Sequence, residues 1–341
     1  MTHDGQQQIH APHEELMRRD DPAAWVREAD AVDASVRCPG FALRGPVFGG
    51  AVRDPAAGRR WRLLKPVVNG MPQMCRDSLN THLWFRAEDG TDDPGVRREL
   101  LAANAVLNRE PVNEVEACGV RYRIVRGDEF TRCDDRAPEP PRPTDPEPAE
   151  RTWNFRDGHT PSPDLDLALD TDRADDGPMA GALRAWLRGF AYRGVRCPAE
   201  VRGESERAVR SHPEVVLLPT CFGVVEREHT RWEPAPALQA TPHDARRVLH
   251  DAMAEMRPLL FRFDDARKAV YTRAAEEFRT PERADEARVE GRAFRIFRVE
   301  RVLRMGPDGP EPARPSDVDE YGPMKIHPTL LLPDGTVVFD D

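Results

Sequence analysis

Long apolar runs are absent from this sequence of 341 residues, and the longest, such as 215–218, span only a few positions. A helix that crosses a membrane needs about 20 apolar residues, which argues against a membrane-spanning protein. Residues 1–20 lack the basic segment and the apolar core of a secretory signal. The sequence therefore predicts a cytoplasmic protein with a flexible N-terminal tail over 1–20.

Lysine is scarce, because only three of the 50 basic residues are lysine, and 60 acidic residues give a net charge of −10. Proteins that bind DNA or RNA usually carry a basic excess, since neutralised phosphates supply much of their affinity. Nucleic acid is therefore disfavoured as the main partner. The many arginines suit bidentate recognition of anions. They are equally typical of a chain encoded by a GC-rich genome.

Familiar catalytic and metal-binding motifs are also missing. The sequence contains no GxSxG, HExxH or GxxxxGK[ST] pattern. Its six cysteines form no CxxC pair and no spacing typical of a zinc site, so we expect reduced thiols, several of them buried. The sequence thus predicts neither a metal nor a cofactor.

The chain repeats part of itself. Residues 119–145 align without a gap on residues 291–317, with 11 identities in 27 positions. Upstream and with small gaps, Phe48-Gly49 matches Phe222-Gly223, and Trp61 matches Trp232. We interpret the chain as two diverged copies of one unit, which is too long for a solenoid with a period of about 20–50 residues.

The elements of one copy can be read in order. Asp21-Pro22 and Thr241-Pro242 are N-cap and N1 pairs that open helices. Alternating apolar and polar residues at 121–125 indicate a strand with one buried face. The predicted fold class is α+β, a tandem duplication of an α-β-β-α-α-β-β unit. We expect two similar domains related by a pseudo-two-fold axis.

The composition also predicts where the domains begin and end. A Pro- and acid-rich linker separates the copies, and the second copy begins with an additional amphipathic helix. The turn sequence Pro333-Asp334-Gly335 predicts a hairpin near the C-terminus. The predicted segments are a flexible tail over 1–20, repeat domain 1 over 21–145, the linker over 146–178, repeat domain 2 over 179–320 and a C-terminal segment over 321–341.

Three distinctive strings carry a family resemblance. They are RDSLNTHLWF at 76–85, PRPTDP at 141–146 and PMKIHP at 323–328. With these strings the chain resembles an uncharacterised family of streptomycete-type actinobacterial proteins, known only as a domain of unknown function. The resemblance covers nearly the whole chain outside the tail. It implies a cytoplasmic protein of a high-GC actinobacterium, and it supplies no reaction, cofactor or catalytic residue.

Candidate site residues occur where the two copies differ. Asp77, Asn80, His82 and Trp84 lie on a helix of the first copy and have no counterparts in the second. Asp77 and Asn80 are three residues apart and therefore share a helix face. Together with Arg76, this face is suited to bind a ligand or a partner helix, since Trp and Arg are frequent in interface hot spots. The alternative is an ordinary exposed helix with one packed Trp.

Two further pairs of residues are candidates for binding. Arg142 and Arg314 lie in matching Pro-rich loops, where they either contact an anion or partner or fasten each loop to its own domain. Lys325 and His327 form a second cluster without a counterpart. The segment that carries them either covers a cleft between the copies or packs on the second copy.

Two functions remain open from the sequence. The first is a non-enzymatic module that binds a protein or a small anionic ligand in a groove between the duplicated domains. The alternative is an enzyme with an unfamiliar site, in which Asp77 and His82 act on a small anionic substrate held by Arg76. His82 is suited to act as a general base, but no nucleophile is recognisable near it.

Overall fold

The computed structural model describes the chain from Asp21 to Phe339 with gaps. Four predicted features lie outside the described residues: the N-terminal tail, the turn at Pro333-Asp334-Gly335, Lys325 and His327. The described residues are 21–56, 58, 60–154, 157–171, 177–195, 197–229, 231–235, 237–281, 283–324, 329–331 and 337–339.

Most helices begin at a proline or behind a capping side chain. Asp21 and Thr241 accept hydrogen bonds from backbone N–H groups of the first turn, so these two predicted N-caps are confirmed. Within the described ranges, the helices are α1 (Pro22–Arg37), α2 (Pro72–Glu88), α3 (Pro94–Leu107), α4 (Pro178–Arg188), α5 (Ala199–Ser211), α6 (Pro242–Asp251), the short α7 (Arg257–Leu260) and α8 (Asp265–Arg279).

Three long strands dominate the β-structure, and nine shorter ones accompany them in the described ranges. The strands are β1 (Gly40–Arg53), β2 (Arg62–Asn69), β3 (Glu114–Ala117), β4 (Val120–Cys133), β5 (Glu214–Leu217), β6 (Cys221–Glu228), β7 (Arg231–Pro234), β8 (Glu286–Val289), β9 (Arg292–Gly306), β10 (Gly309–Pro310), β11 (Thr329–Leu331) and β12 (Val337–Phe339).

One curled antiparallel sheet organises the molecule, in the order β2-β1-β4-β9-β6-β7. The strands β3, β5, β8 and β10 pair with free lengths of β4 and β9. At the centre, residues 127–130 of β4 pair with residues 300–303 of β9, and Glu129 lies opposite Arg301. The predicted α+β class is therefore confirmed. Below, residues 21–145 are called the N-terminal half and residues 179–320 the C-terminal half.

Several strands differ from the ranges that the sequence predicts. β4 continues beyond the predicted end at Val125, because its second part pairs with β9. The apolar run 215–218 continues into a further strand-like stretch, but the two are divided between β5 and β6. Pro219 lies in the break, where it cannot donate a ladder hydrogen bond.

Three apolar clusters form most of the core. In the N-terminal half, α2 and α3 pack on the sheet through Leu83, Leu100 and Tyr122. In the C-terminal half, α6 and α8 do so through Leu249 and Tyr271. The third cluster lies between the halves and contains Val125, Leu169, Val216 and Leu303. No described helix is both long enough and apolar enough to cross a bilayer.

The segment predicted as a linker lies along the sheet edge. The backbone N–H of Leu63 in β2 donates to the carbonyl of Leu167 at 2.9 Å. Leu169 contributes its side chain to the central cluster, and Asp164 is fully buried. Because this segment contacts both halves of the sheet, it contributes to the core although it forms no helix or named strand in its described part.

Each half also receives a carboxylate from the other half. Arg126 of β4 contacts Asp317 (Nε to Oδ2, 3.1 Å), and Arg298 of β9 contacts Asp145 (Nε to Oδ1, 3.2 Å). The two arginines occupy matching positions of the sequence repeat, and so do the two aspartates. The halves are therefore interlocked through two loops. We call residues 138–147 and residues 310–319 the exchanged loops.

Candidate functional site

A groove of about 400 Å³ opens between the two halves. One wall comes from β1 and β4 of the N-terminal half, and the other comes from β6, β7 and β9 of the C-terminal half. We call this cavity the interhalf groove. Its lining residues are Ala42, Leu43, Arg44, Glu129, Phe130, Thr131, Cys133, Asp134, Asp135, Arg136, Ala137, Pro138, Val225, Trp232, Pro234 and Phe297.

The floor of the interhalf groove carries a buried acid. Glu129 bonds to the half-buried Arg44 (Nε to Oε1, 2.8 Å), and Arg301 lies opposite it in the β4–β9 ladder. Burial raises the pKa of Glu129, while the charges of Arg44 and Arg301 oppose this shift. The floor of the groove therefore lies where β4 pairs with β9.

The walls of the groove are largely apolar and aromatic. Phe130 and Phe297 are buried, whereas Leu43 is 38% exposed at the opening. The indole N–H of Trp232 donates to the carbonyl of Arg136 at 2.7 Å, which fixes the ring across the two halves. Rigid aromatic walls with a polar rim are typical of sites that bind an apolar side chain or ligand.

The rim beside this wall is acidic. Asp134 accepts hydrogen bonds from the backbone N–H groups of Arg136 and Ala137, and these bonds lower the pKa of Asp134. Cys133 lies next to it, and burial and the neighbouring carboxylates raise the pKa of this thiol. A thiol of raised pKa is a weak nucleophile at neutral pH, so the groove is better arranged for binding than for thiol chemistry.

Arg76 and Asp77 lie inside the fold. The guanidinium of Arg76 bonds to Asp319 (2.5 Å), and it also donates to the Oδ1 of Asn113 (2.7 Å). Asp77 accepts a hydrogen bond from Gln73 at 2.8 Å. In the C-terminal half, Arg246 is bonded in the same manner to Glu147 and Asp285. These contacts hold the exchanged loops against α2 and α6.

Asn80 and Trp84 also point toward the interior of the helix pair. Asn80 is fully buried, and it forms a side-chain network with Asn104 and Asn108 at 2.7–2.8 Å. Trp84 is half-buried against the apolar cluster of α2 and α3. The predicted polar face of α2 is thus largely a packing face toward α3.

His82 and Asp77, the two residues of the enzyme alternative, have different neighbours. Its ring is half-buried, 6.4 Å from the ring of Tyr122, and burial lowers its pKa together with the charges of Lys65 and Arg86. The carboxylate of Asp77 bonds to Gln73 instead. The structure therefore does not assemble a His–Asp pair from these two residues.

Arg142 and Arg314 are bonded within their own loops. Arg142 donates to Glu139 and Arg314 donates to Glu311, both at 2.6 Å from Nε. Each loop is thus closed by an arginine–glutamate pair three residues apart. These contacts close each loop on itself, while Asp145 and Asp317 of the same loops bond to the opposite half rather than to their own.

Sequence reasoning missed most of the interhalf groove. Trp232 was singled out only as a residue common to both copies, and Arg44 and Phe297 carry no motif. They come together because the curled sheet brings β1 near β6 and β7, and the single sequence contains no signal of that proximity. In the described part of the chain, no three His, Cys, Asp or Glu side chains are grouped to hold a metal ion.

The buried thiols lead to a direct prediction. Burial raises the pKa of Cys75 to about 12 and that of Cys221 to about 11. At pH 8 we expect iodoacetamide to alkylate both more than about a hundredfold more slowly than a free cysteine with a pKa of about 8.5. The half-buried Cys197 is the internal comparison, to be followed by mass spectrometry. Rapid alkylation of Cys75 in the native protein would contradict the expected burial.

By its fold, the protein is a mixed α/β protein built on a curled antiparallel sheet, with a groove between its two halves. It belongs to a family of unknown function (DUF5954), whose family model matches residues 21–320. The predicted membership of a family without a known reaction is therefore confirmed. No curated protein matches the chain, and neither does any solved structure.

Proposed function

We propose that the protein is a non-enzymatic binding module and that its interhalf groove holds an apolar side chain of a protein partner. The observation that carries this proposal is the position of the groove, which has an aromatic wall and is lined by both halves. Leu43 stands exposed at the opening, and Asp134 and Asp135 lie on the rim. The expected partner segment therefore carries an aromatic or aliphatic anchor beside a basic residue.

We also propose that the two halves are diverged copies of one α-β-β-α-α-β-β unit with a pseudo-two-fold relation. Several contacts at matching repeat positions support this proposal. Trp61 donates its indole N–H to the carbonyl of Asp308, as Trp232 does to that of Arg136. Ser316 donates its hydroxyl to Glu204 of α5, and Thr144 donates its own to an acid of α1, Asp30.

The alternative of an enzyme is less well supported by the contacts. Arg76 is occupied by Asp319, and the carboxylate of Asp77 is held by Gln73. An anionic substrate would have to displace Asp319 to reach the guanidinium. The groove requires no such rearrangement, so binding is the function that we carry forward. A cytoplasmic location and an actinobacterial origin remain part of the proposal.

Selection of peptides from a random phage-displayed library tests the groove. We expect enrichment of peptides with one aromatic or aliphatic anchor next to Lys or Arg. Leu43→Arg fills the opening with a long charged side chain, so it should weaken the selected peptides at least about tenfold. The matched control is Val36→Arg on α1, where the side chain is 75% exposed and does not line the groove.

Two results would count against the proposal. Failure to enrich any peptide family would indicate that the groove does not bind a linear protein segment. Equal affinity of the selected peptides for the wild type and Leu43→Arg would place their binding site elsewhere. Circular dichroism of both variants must match that of the wild type for the comparison to hold.

A further inference from the structure

The third apolar cluster of the core occupies a second place where the two halves meet. It is formed by β1, β2 and β4 of the N-terminal half and by β5 and β9 of the C-terminal half. Leu169 and Leu167 enter this cluster from the segment between the halves. We call residues 164–169 the inserted segment and the place that it occupies the filled groove.

The filled groove and the interhalf groove have matching walls with the roles of the two halves reversed. Ala51 lies opposite Leu63 in the β1–β2 ladder, and Val225 lies opposite Pro234 in the β6–β7 ladder. The repeat positions and the registers therefore allow the walls to be compared residue by residue. Three such pairs, with the filled groove first, are Trp61 and Trp232, Leu63 and Pro234, and Val216 and Ala42.

Matching positions differ sharply in burial. In the filled groove Trp61 is 5% exposed, Leu63 0% and Val216 1%. In the interhalf groove Trp232 is only partly buried, and Pro234 and Ala42 are exposed. The same positions are thus buried where the inserted segment covers them, and they line a cavity where none of the described residues does.

The inserted segment is held on the edge of β2 by backbone hydrogen bonds. The N–H of Leu63 donates to the carbonyl of Leu167, and the N–H of Leu169 donates to the carbonyl of Trp61, both at 2.9 Å. The N–H of Asp166 donates to the carbonyl of Leu63 at 3.0 Å. The segment therefore extends the sheet beyond β2, as peptides do when they bind by β-strand addition.

The strand β7 offers a matching edge to the interhalf groove. Trp232 and Pro234 line the groove at the positions of Trp61 and Leu63. Outside the β6–β7 ladder, no hydrogen bond reaches the carbonyl of either residue within the described ranges. Proline lacks an N–H, which is tolerated on an edge strand. Two of the three backbone bonds of the inserted segment can therefore form on β7.

The acids of the inserted segment lie beside arginines of the filled groove. Asp164 accepts two hydrogen bonds from Arg301, at 2.5 and 2.9 Å, and both side chains are fully buried. Asp166 lies 3.8 Å from Arg62 at the surface. An acidic segment therefore suits the charges of the filled groove.

The interhalf groove has the opposite charges at the matching positions. Glu129 takes the place of Arg301, and Glu233 takes the place of Arg62. Because Arg44 already bonds to Glu129, a second acid beside this pair would lack a cation. The acidic rim adds to the negative charge. A neutral residue in place of Asp164 and a basic residue near Glu233 are therefore complementary to this groove.

We propose that a segment of a protein partner binds in the interhalf groove as an added β-strand along β7, as the inserted segment binds along β2. This inference rests on the function proposed above and on the proposed relation of the two halves, and it specifies the chemistry of the partner. The segment carries apolar residues at the positions of Leu167 and Leu169, with a basic residue directly before the first. Two of its N–H groups donate to the carbonyls of Trp232 and Pro234.

Fluorescence anisotropy with labelled peptides and the full chain tests the expected sequence pattern. The designed peptide has the sequence of residues 161–171 with the changes Asp164→Asn and Asp166→Lys, and the unchanged sequence is the matched control. We expect measurable binding of the designed peptide and at least about tenfold weaker binding of the control. No binding of the designed peptide, or equal binding of both, would overturn the inference.

Backbone methylation of the designed peptide tests the added strand. N-methylation at the position of Leu169 removes the N–H expected to reach Trp232, so it should weaken binding at least about tenfold. The matched control is N-methylation at the position of Ala168, whose N–H makes none of the bonds between the inserted segment and β2. This control should stay within about threefold of the parent peptide. Equal affinities of the two methylated peptides would contradict the strand.

Two protein variants locate the bound peptide. Leu43→Arg in the interhalf groove should weaken the designed peptide at least about tenfold, and Val36→Arg should not. Binding that ignores Leu43→Arg would place the peptide elsewhere and overturn the inference. If library peptides bind in a manner sensitive to Leu43→Arg and the designed peptide does not bind, the binding function stands and the added strand is wrong. If neither kind of peptide binds, both proposals fail.

Discussion

The variant Asp164→Asn is expected to lower the free energy of unfolding by about 3–5 kcal/mol, because it leaves a fully buried cation without its partner. Asp164 and Arg301 are both 0% exposed, and the guanidinium donates to both carboxylate oxygens, at 2.5 and 2.9 Å. Asp164 also accepts the backbone N–H of Val67 at 3.0 Å. Asn preserves the shape of the side chain but removes the charge.

Urea unfolding of the variant and the wild type measures this difference. The matched control is Asp170→Asn in the same segment, where Arg60 and Asp170 form an exposed pair at 2.8 Å. Exposed pairs contribute at most about 1 kcal/mol, so this variant should remain close to the wild type. If both variants lose the same free energy of unfolding, the buried pair of Asp164 and Arg301 contributes no more to stability than the exposed pair, which would contradict the prediction.

The effect should reach the interhalf groove as well. Arg301 lies opposite Glu129, the acid on the floor of the groove, and its charge opposes the raised pKa of that acid. Without the carboxylate of Asp164, the guanidinium of Arg301 should become more mobile, and Glu129 on the floor of the groove should then be able to shift. We therefore expect Asp164→Asn to weaken peptides selected on the groove, although Asp164 does not line it.

The second large effect is expected for Arg126→Met, which removes the cation between two acids. Arg126 bonds to Asp128 at 2.9 Å and to Asp317 of the exchanged loop at 3.1 Å, and all three side chains are buried. Its removal takes away the guanidinium that bonds to both buried carboxylates, and Asp317 keeps the weaker charge contribution of Arg314. We expect a loss of about 3–5 kcal/mol at pH 7 in urea unfolding.

The pH dependence of this loss identifies its cause. Burial already raises the pKa of Asp317 against the charge of Arg126, so without the arginine this pKa should rise further above its unfolded value of about 3.9. A raised carboxyl pKa favours the folded state at low pH and loses this contribution as the pH rises through the folded pKa. The deficit of Arg126→Met should therefore shrink between pH 7 and pH 4.

A surface arginine serves as the control for this experiment. Arg97 forms a partly exposed pair with Glu88 at 2.6 Å. Arg97→Met should cost at most about 1 kcal/mol and show little change between pH 7 and pH 4. A deficit of Arg126→Met that stays constant over this pH range would indicate lost packing rather than stranded charges.

Local signals in the sequence were sufficient for many elements. Capping residues and prolines placed the starts of α1 and α6. These features depend on residues close in the chain, and their energetics are local. The length of β4 depends on a partner strand far away in sequence, and it was underestimated.

The candidate site residues also depend on contacts between segments that are distant in the sequence. Residues that looked available on α2, such as Arg76 and Asn80, are occupied by contacts from distant segments. A buried arginine can be recognised in a sequence only when its acidic partner is also recognisable. The partner of Arg76 is Asp319, which is too far away in the chain to be identified in this way. Sequence reasoning predicted a groove between the copies but not the residues that line it, because the groove is lined by side chains from several separate elements.

The sequence alone determined the α+β class, the positions of most helices and the internal similarity of 119–145 and 291–317, because each rests on local propensity or direct comparison. Only the tertiary structure decided which charges meet. It places Arg301 on Asp164 and exchanges Asp145 and Asp317 between the halves. Such contacts follow from the path of the chain through space, and burial then sets their strength.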